Sequence, residues 1–71
     1  MSDITKIRLL AMVEGELEQV RGMTSNENLW LLGSNTEEES QMHSENISNL
    51  EEYKTLLLKM KEQIEEDKFN V

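Results

Sequence analysis

Apolar residues recur every three or four positions along most of the chain, which is the spacing of one face of an α-helix. Ser2 or Asp3 is a suitable N-cap for a first helix, and Gly22, directly after Arg21, is a suitable C-cap. The pattern therefore predicts a first helix over about residues 3–21. Its apolar stripe consists of Ile7, Leu10, Val13, Leu17 and Val20.

A second, short helix is predicted over about residues 25–32. Thr24 followed three residues later by Glu27 matches the capping box that opens helices, and Gly33 can close the segment. A helix of about two turns does not persist alone in water, so it needs neighbours. Its second half is apolar on every side, which indicates a cluster that contacts a partner or closes the end of a helical bundle: Leu29, Trp30, Leu31 and Leu32.

The third predicted helix is the longest and covers about residues 36–68. Thr36 and Glu39 form another capping box, and no Gly or Pro interrupts the sequence after it. The apolar positions follow a seven-residue repeat, which is coiled-coil spacing and predicts a self-association seam. The seam residues are Ile47, Leu50, Tyr53, Leu57, Met60 and Ile64.

Together these elements predict one all-α helical domain over residues 1–71, a hairpin of a helix, a short helix and a long coiled-coil-like helix. At 1.5 Å per residue the third helix would be about 50 Å long and the first about 30 Å. The longer helix would then keep uncovered apolar surface. We therefore expect an oligomeric bundle, with antiparallel pairing because glutamates fill the first half of the third helix and lysines the second.

Composition supports this expectation and limits the choice of partner. The chain has 71 residues, no cysteine and only three aromatic residues, so oligomerisation is a typical way to stabilise its small core. A net charge of −8 disfavours direct binding to nucleic acid or to anionic membranes. The longest apolar run, 29–32, is too short for a membrane span, and Asp3 is unlike a basic signal-peptide start, so a cytoplasmic location is expected.

The sequence offers no catalytic constellation. His43 is the only histidine, and with Glu39 one turn earlier it supplies two metal ligands, fewer than a structural zinc site requires. Adjacent glutamates such as Glu51 and Glu52 point about 100° apart on a helix, so they do not converge on one substrate. No phosphate-binding or dinucleotide-binding glycine motif occurs. We predict no catalytic, cofactor-binding or metal-binding residue, and no enzyme.

The leading functional prediction is a non-enzymatic, oligomeric protein–protein interaction module, such as a small adaptor, inhibitor or regulatory accessory protein of phage or bacterial type. It would bind itself, as a homodimer or higher oligomer, and another protein. One alternative is an acidic nucleic-acid mimic that blocks a DNA- or RNA-binding enzyme. Its acidic face would consist of Glu37, Glu38, Glu39, Glu45, Glu51 and Glu52. A second alternative is an oligomer that sequesters a small ligand between subunits.

Overall fold

A computed structural model describes residues 1–68 of the chain. Two helices, α1 (Asp3–Leu32) and α2 (Glu37–Glu65), pack against each other as an antiparallel hairpin. Residues 33–36 connect them, and the hairpin measures 51 × 16 × 13 Å. The all-helical class and the hairpin are confirmed.

The first helix continues through the predicted break at Gly22, so the prediction of separate helices over residues 3–21 and 25–32 is wrong. Gly22 has no positive φ and does not act as a C-cap, and Thr24 lies inside the helix. A glycine inside a helix costs only about 1 kcal/mol relative to alanine. Contacts with α2 on both sides of Gly22 offset that cost, because Val20 is buried and Glu27 bonds to His43.

The other predicted helix signals are confirmed. The Ser2 side chain accepts a hydrogen bond from the Thr5 amide at 3.1 Å. Gly33 ends α1, and its N–H donates to the Leu29 carbonyl. Thr36 accepts from the Glu39 amide at 3.1 Å. These contacts satisfy amides and carbonyls that have no partner inside their helices.

The second helix ends at Glu65, three residues before the predicted end at Lys68. Asp67 adopts a left-handed conformation with φ 57°, and the Lys68 N–H donates back to the Gln63 carbonyl at 2.7 Å. This hydrogen bond, from the N–H of one residue to the carbonyl five positions earlier, belongs to the Schellman motif, which ends a helix. With α1 at 30 residues and α2 at 29, the predicted mismatch in helix length is also wrong.

The core is a narrow row of contacts between the two helices. Four side chains are buried, and on each helix they are spaced seven residues apart: Val13 and Val20 on α1, Leu57 and Ile64 on α2. Four partly buried leucines pack against them: Leu9, Leu10, Leu17 and Leu50. This spacing keeps one stripe of each helix against its neighbour along the length of the hairpin.

We expect Gly22→Ala to stabilise the protein by about 0.5–1 kcal/mol, because alanine is the better helix former at an interior position. A Cβ at Gly22 meets nothing within 4 Å, so no clash opposes the gain. Chemical denaturation followed by circular dichroism measures the difference. If the helix broke at Gly22, the change would be neutral or destabilising, so that result would contradict the continuous α1. Gly33→Ala, at the true end of the helix, is the comparison variant.

Candidate functional site

The predicted self-association seam lies partly inside the hairpin. Leu57 and Ile64 are only 4% and 0% exposed and face α1, so they offer no surface to a second chain. Leu50 also packs against the core, whereas Ile47 and Met60 are half-buried. Tyr53 is 41% exposed. The repeat therefore pairs the two helices of one chain, and only its edge is open to other molecules.

The apolar cluster at 29–32 forms the last turn of α1, beside the connection between the helices. Leu31 is half-buried, but Trp30 and Leu32 are 55% and 85% exposed and Leu29 is similarly open. The cluster surrounds the helix instead of facing α2. Most of its apolar area is accessible to a partner.

The six glutamates of the predicted acidic face are all exposed, but they do not share one face of α2. Glu38, Glu45 and Glu52 follow one line, since they are seven residues apart. Glu51 lines a groove together with Arg21 and Lys54. The remaining two lie in the first turn of the helix: Glu37 and Glu39.

A polar cluster that the sequence analysis missed joins the helices near the turn. His43 Nδ1 lies 2.7 Å from Glu27 Oε2, and the two side chains are only 15% and 14% exposed. The Asn46 side-chain amide donates to the other Glu27 oxygen at 3.3 Å. The Trp30 ring lies beside the imidazole, with ring centroids 5.9 Å apart. The cluster thus fastens α1 to α2 where the apolar core ends.

The seven-residue repeat of the sequence indicates that two residues of this cluster face the other helix. Glu27 follows Val20 by seven residues, and His43 precedes Leu50 by seven. Both therefore occupy positions that face the other helix. The signal was hidden by the predicted break at Gly22, which placed Glu27 in a different helix from Val20. The pairing of His43 with Glu39 is not formed, since the Glu39 carboxylate accepts from the Asn35 amide at 3.1 Å.

The contacts of this cluster hold the two helices together. A carboxylate that holds an imidazole nitrogen resembles part of a catalytic triad, but a triad also needs a nucleophile within hydrogen-bond reach of the histidine. Within residues 1–68, His43 is hydrogen-bonded to Glu27, and no group of three or more metal-ligating side chains comes together. The arrangement orients side chains between helices.

Two further pairs connect the helices along the hairpin. The Tyr53 hydroxyl donates to Glu16 at 2.9 Å, and Lys61 Nζ lies 2.6 Å from Glu14. The hydrogen bond to the Glu16 carboxylate, with smaller contributions from burial and from its charge, raises the pKa of Tyr53. The hydrogen bond and charge of Glu14 raise the pKa of Lys61. Both groups are therefore held in their protonated forms.

The two sides of the hairpin differ in chemistry. One shallow groove, of about 430 Å³, is lined with charged side chains that include Glu14, Arg21, Glu51, Lys54 and Lys61. The groove on the other side, of about 350 Å³, is lined mainly by apolar and amide side chains. Its lining consists of Met23, Asn26, Glu27, Trp30, Asn46 and Leu50.

We expect the Glu27–His43 pair to show strong non-additivity in a double-mutant cycle. Either single change, Glu27→Leu or His43→Leu, should cost about 1–3 kcal/mol, because it leaves a polar partner half-buried without its hydrogen bond. The double variant should recover most or all of the loss, since two leucines extend the apolar rows. Urea denaturation of the four proteins tests this. Strictly additive losses would show that the two side chains do not interact.

The alkaline titration of Tyr53, the only tyrosine, should have a midpoint above the ordinary pKa of 10.0. Because the pKa is raised in the folded state, the hydrogen bond stabilises the hairpin below pH 10 and its contribution is lost as the pH rises through the raised pKa. Glu16→Gln should bring the midpoint down in ultraviolet difference spectra. Glu14→Gln, which changes the Lys61 pair, is the control and should leave it unchanged. Identical midpoints for wild type and Glu16→Gln would contradict the contact.

None of the helices in the described part of the chain is both long and apolar enough to cross a membrane. A comparison of the chain with known protein families, curated proteins and solved structures finds no match.

Proposed function

We propose that this protein is a non-enzymatic protein–protein interaction module, an adaptor, inhibitor or regulatory accessory protein that binds through apolar side chains on the hairpin surface. One observation carries the proposal. Among residues 1–68, twelve large hydrophobic side chains are 41–85% exposed, whereas four are buried. Single exposed hydrophobic residues are ordinary on protein surfaces, but exposure of most of them in so small a protein is typical of a surface that another protein covers.

Energetics favour the same conclusion. Complete burial of an aliphatic side chain contributes about 1.5–3 kcal/mol, and four such side chains stabilise a two-helix fold only weakly against the entropy of ordering the chain. A partner that covers more apolar surface binds the folded state and so stabilises it by mass action. Folding and binding support each other in such a protein.

The exposed cluster at 29–32 is the part of the surface best suited to a partner. Tryptophan is enriched at the energetic centres of protein interfaces, because its ring buries much area with little loss of conformational freedom. Trp30 is 55% exposed, and Leu29 and Leu32 beside it are exposed further. His43 contacts one side of the ring and restricts its orientation.

The two alternative functions receive less support. Glu38, Glu45 and Glu52 lie in a row about 10 Å apart, but Glu51 lies in a groove beside Arg21 and Lys54, so positive charges interrupt the acidic surface that a nucleic-acid-binding groove would recognise. Sequestration of a small ligand requires an enclosed site. Both grooves of the single hairpin are shallow and open.

A site-specific cross-linking experiment tests the proposal in the cells that make the protein. A photoreactive amino acid replaces Leu29 or Trp30 in the full chain, and Glu62, an exposed glutamate on the charged side of α2, is the matched control position. We expect a discrete adduct, with a second copy or with one other protein, from the apolar positions and none from position 62. Absence of adducts from both position 29 and position 30 would contradict the proposal.

A further inference from the structure

One side of the hairpin has almost no charged residues, although they make up 31% of the chain. Two outer rows define this uncharged flank, each with a seven-residue spacing. The row on α1 contains Met12, Gln19 and Asn26, and the row on α2 contains Asn49, Leu56 and Gln63. All six side chains are exposed, and the apolar groove with Met23 and Trp30 lies between the rows.

The contacts of the hairpin place both rows on the same side. Asn26 lines the groove with Met23 and Trp30, which fixes the side of the α1 row. Asn46 lines the same groove, and Asn49 follows it by one turn. Further along α2, Leu56 follows Tyr53 by one turn and continues the α2 row.

Two of the carboxylates beside this flank have partners within the hairpin, whereas Glu45 and Glu52, each four residues before a member of the α2 row, lie exposed along its outer edge. Glu16 accepts the hydrogen bond from Tyr53, and Glu27 is occupied by His43 and Asn46. The opposite flank, by contrast, presents both signs of charge along its groove, including the pair between Glu14 and Lys61. Charged side chains therefore lie mainly on the opposite flank. Depletion of charge is the compositional mark of an interface core.

We propose that the uncharged flank is covered by a second copy of this chain, packed flank to flank as a four-helix assembly. This inference rests on the proposed function and names the surface and its occupant. Each chain carries a net charge of −8, so contact through most other surfaces would bring glutamates together. The uncharged flank lowers that repulsion, because its exposed glutamates, Glu45 and Glu52, lie at the outer edge and not between the two rows.

Self-complementarity and size also fit a second copy. Side-chain amides carry both donors and acceptors, so Gln19, Asn26, Asn49 and Gln63 can bond to the same residue types across a two-fold axis. The broad face of the hairpin measures 51 by 16 Å, or about 800 Å². A standard stable interface buries about 800 Å² on each partner, which two hairpins packed along their whole broad faces would reach.

Two neighbouring leucines provide a matched test. Leu56 lies on the uncharged flank and is 54% exposed, whereas Leu58 lines the charged groove and is 47% exposed. Leu56→Glu and Leu58→Glu add the same charge to the same helix without touching the four buried residues. Substitution of Leu57 would not separate self-association from folding, because Leu57 is core. Gln19→Glu, nearly equal in size to the original residue, is the second variant on the uncharged flank.

The measurement is absolute mass by light scattering over a concentration series, with circular dichroism to follow the helices. We expect wild type and Leu58→Glu to dimerise alike, and Leu56→Glu and Gln19→Glu to raise the dissociation constant by about tenfold or more, since a charge would be buried without a partner. A monomeric wild type, or equal losses for Leu56→Glu and Leu58→Glu, would overturn this inference. The proposed function is tested separately. If position 29 cross-links to another protein, the proposed function is supported even when the chain is monomeric, and it is contradicted only if no cross-link forms.

Discussion

The packing of Val13 and Val20 against Leu57 and Ile64 is the interaction on which the rest of the structure depends. On each helix these side chains are seven residues apart, so consecutive contacts stay on one stripe while the helices run side by side. This row sets the register of the two helices. Every pair between α1 and α2 follows from that register, including those beyond the apolar core.

The Glu27–His43 pair occupies the same rows as the four buried residues but replaces apolar contact with a hydrogen bond. A shift of α2 by one heptad would place Glu27 opposite Leu50 and leave the carboxylate half-buried without a partner, which costs more than the loss of an exposed ion pair. Polar groups inside an otherwise apolar row are a known means of selecting one register. We infer that the pair contributes more to the choice of register than to stability.

A hairpin of two helices buries only one stripe of each helix, and this geometry decides what remains for function. The surfaces beside the core form two flanks, one with both signs of charge and one with methionine, leucine and amide side chains. Several exposed apolar residues lie along the second flank and around the turn, whereas Leu58 lies in the charged groove. Folding of the single chain therefore leaves this apolar surface uncovered.

By itself, the sequence determined the helical class and the caps at Ser2, Gly33 and Thr36, because these depend on residues within three or four positions of one another. Only the tertiary structure decided that α1 continues through Gly22 and that Leu57 and Ile64 are covered by the same chain. The physical reason is the relative size of two free energies, local helix propensity and packing between helices. A glycine alters local helix stability by about 1 kcal/mol, whereas contacts between helices contribute several times that amount in sum.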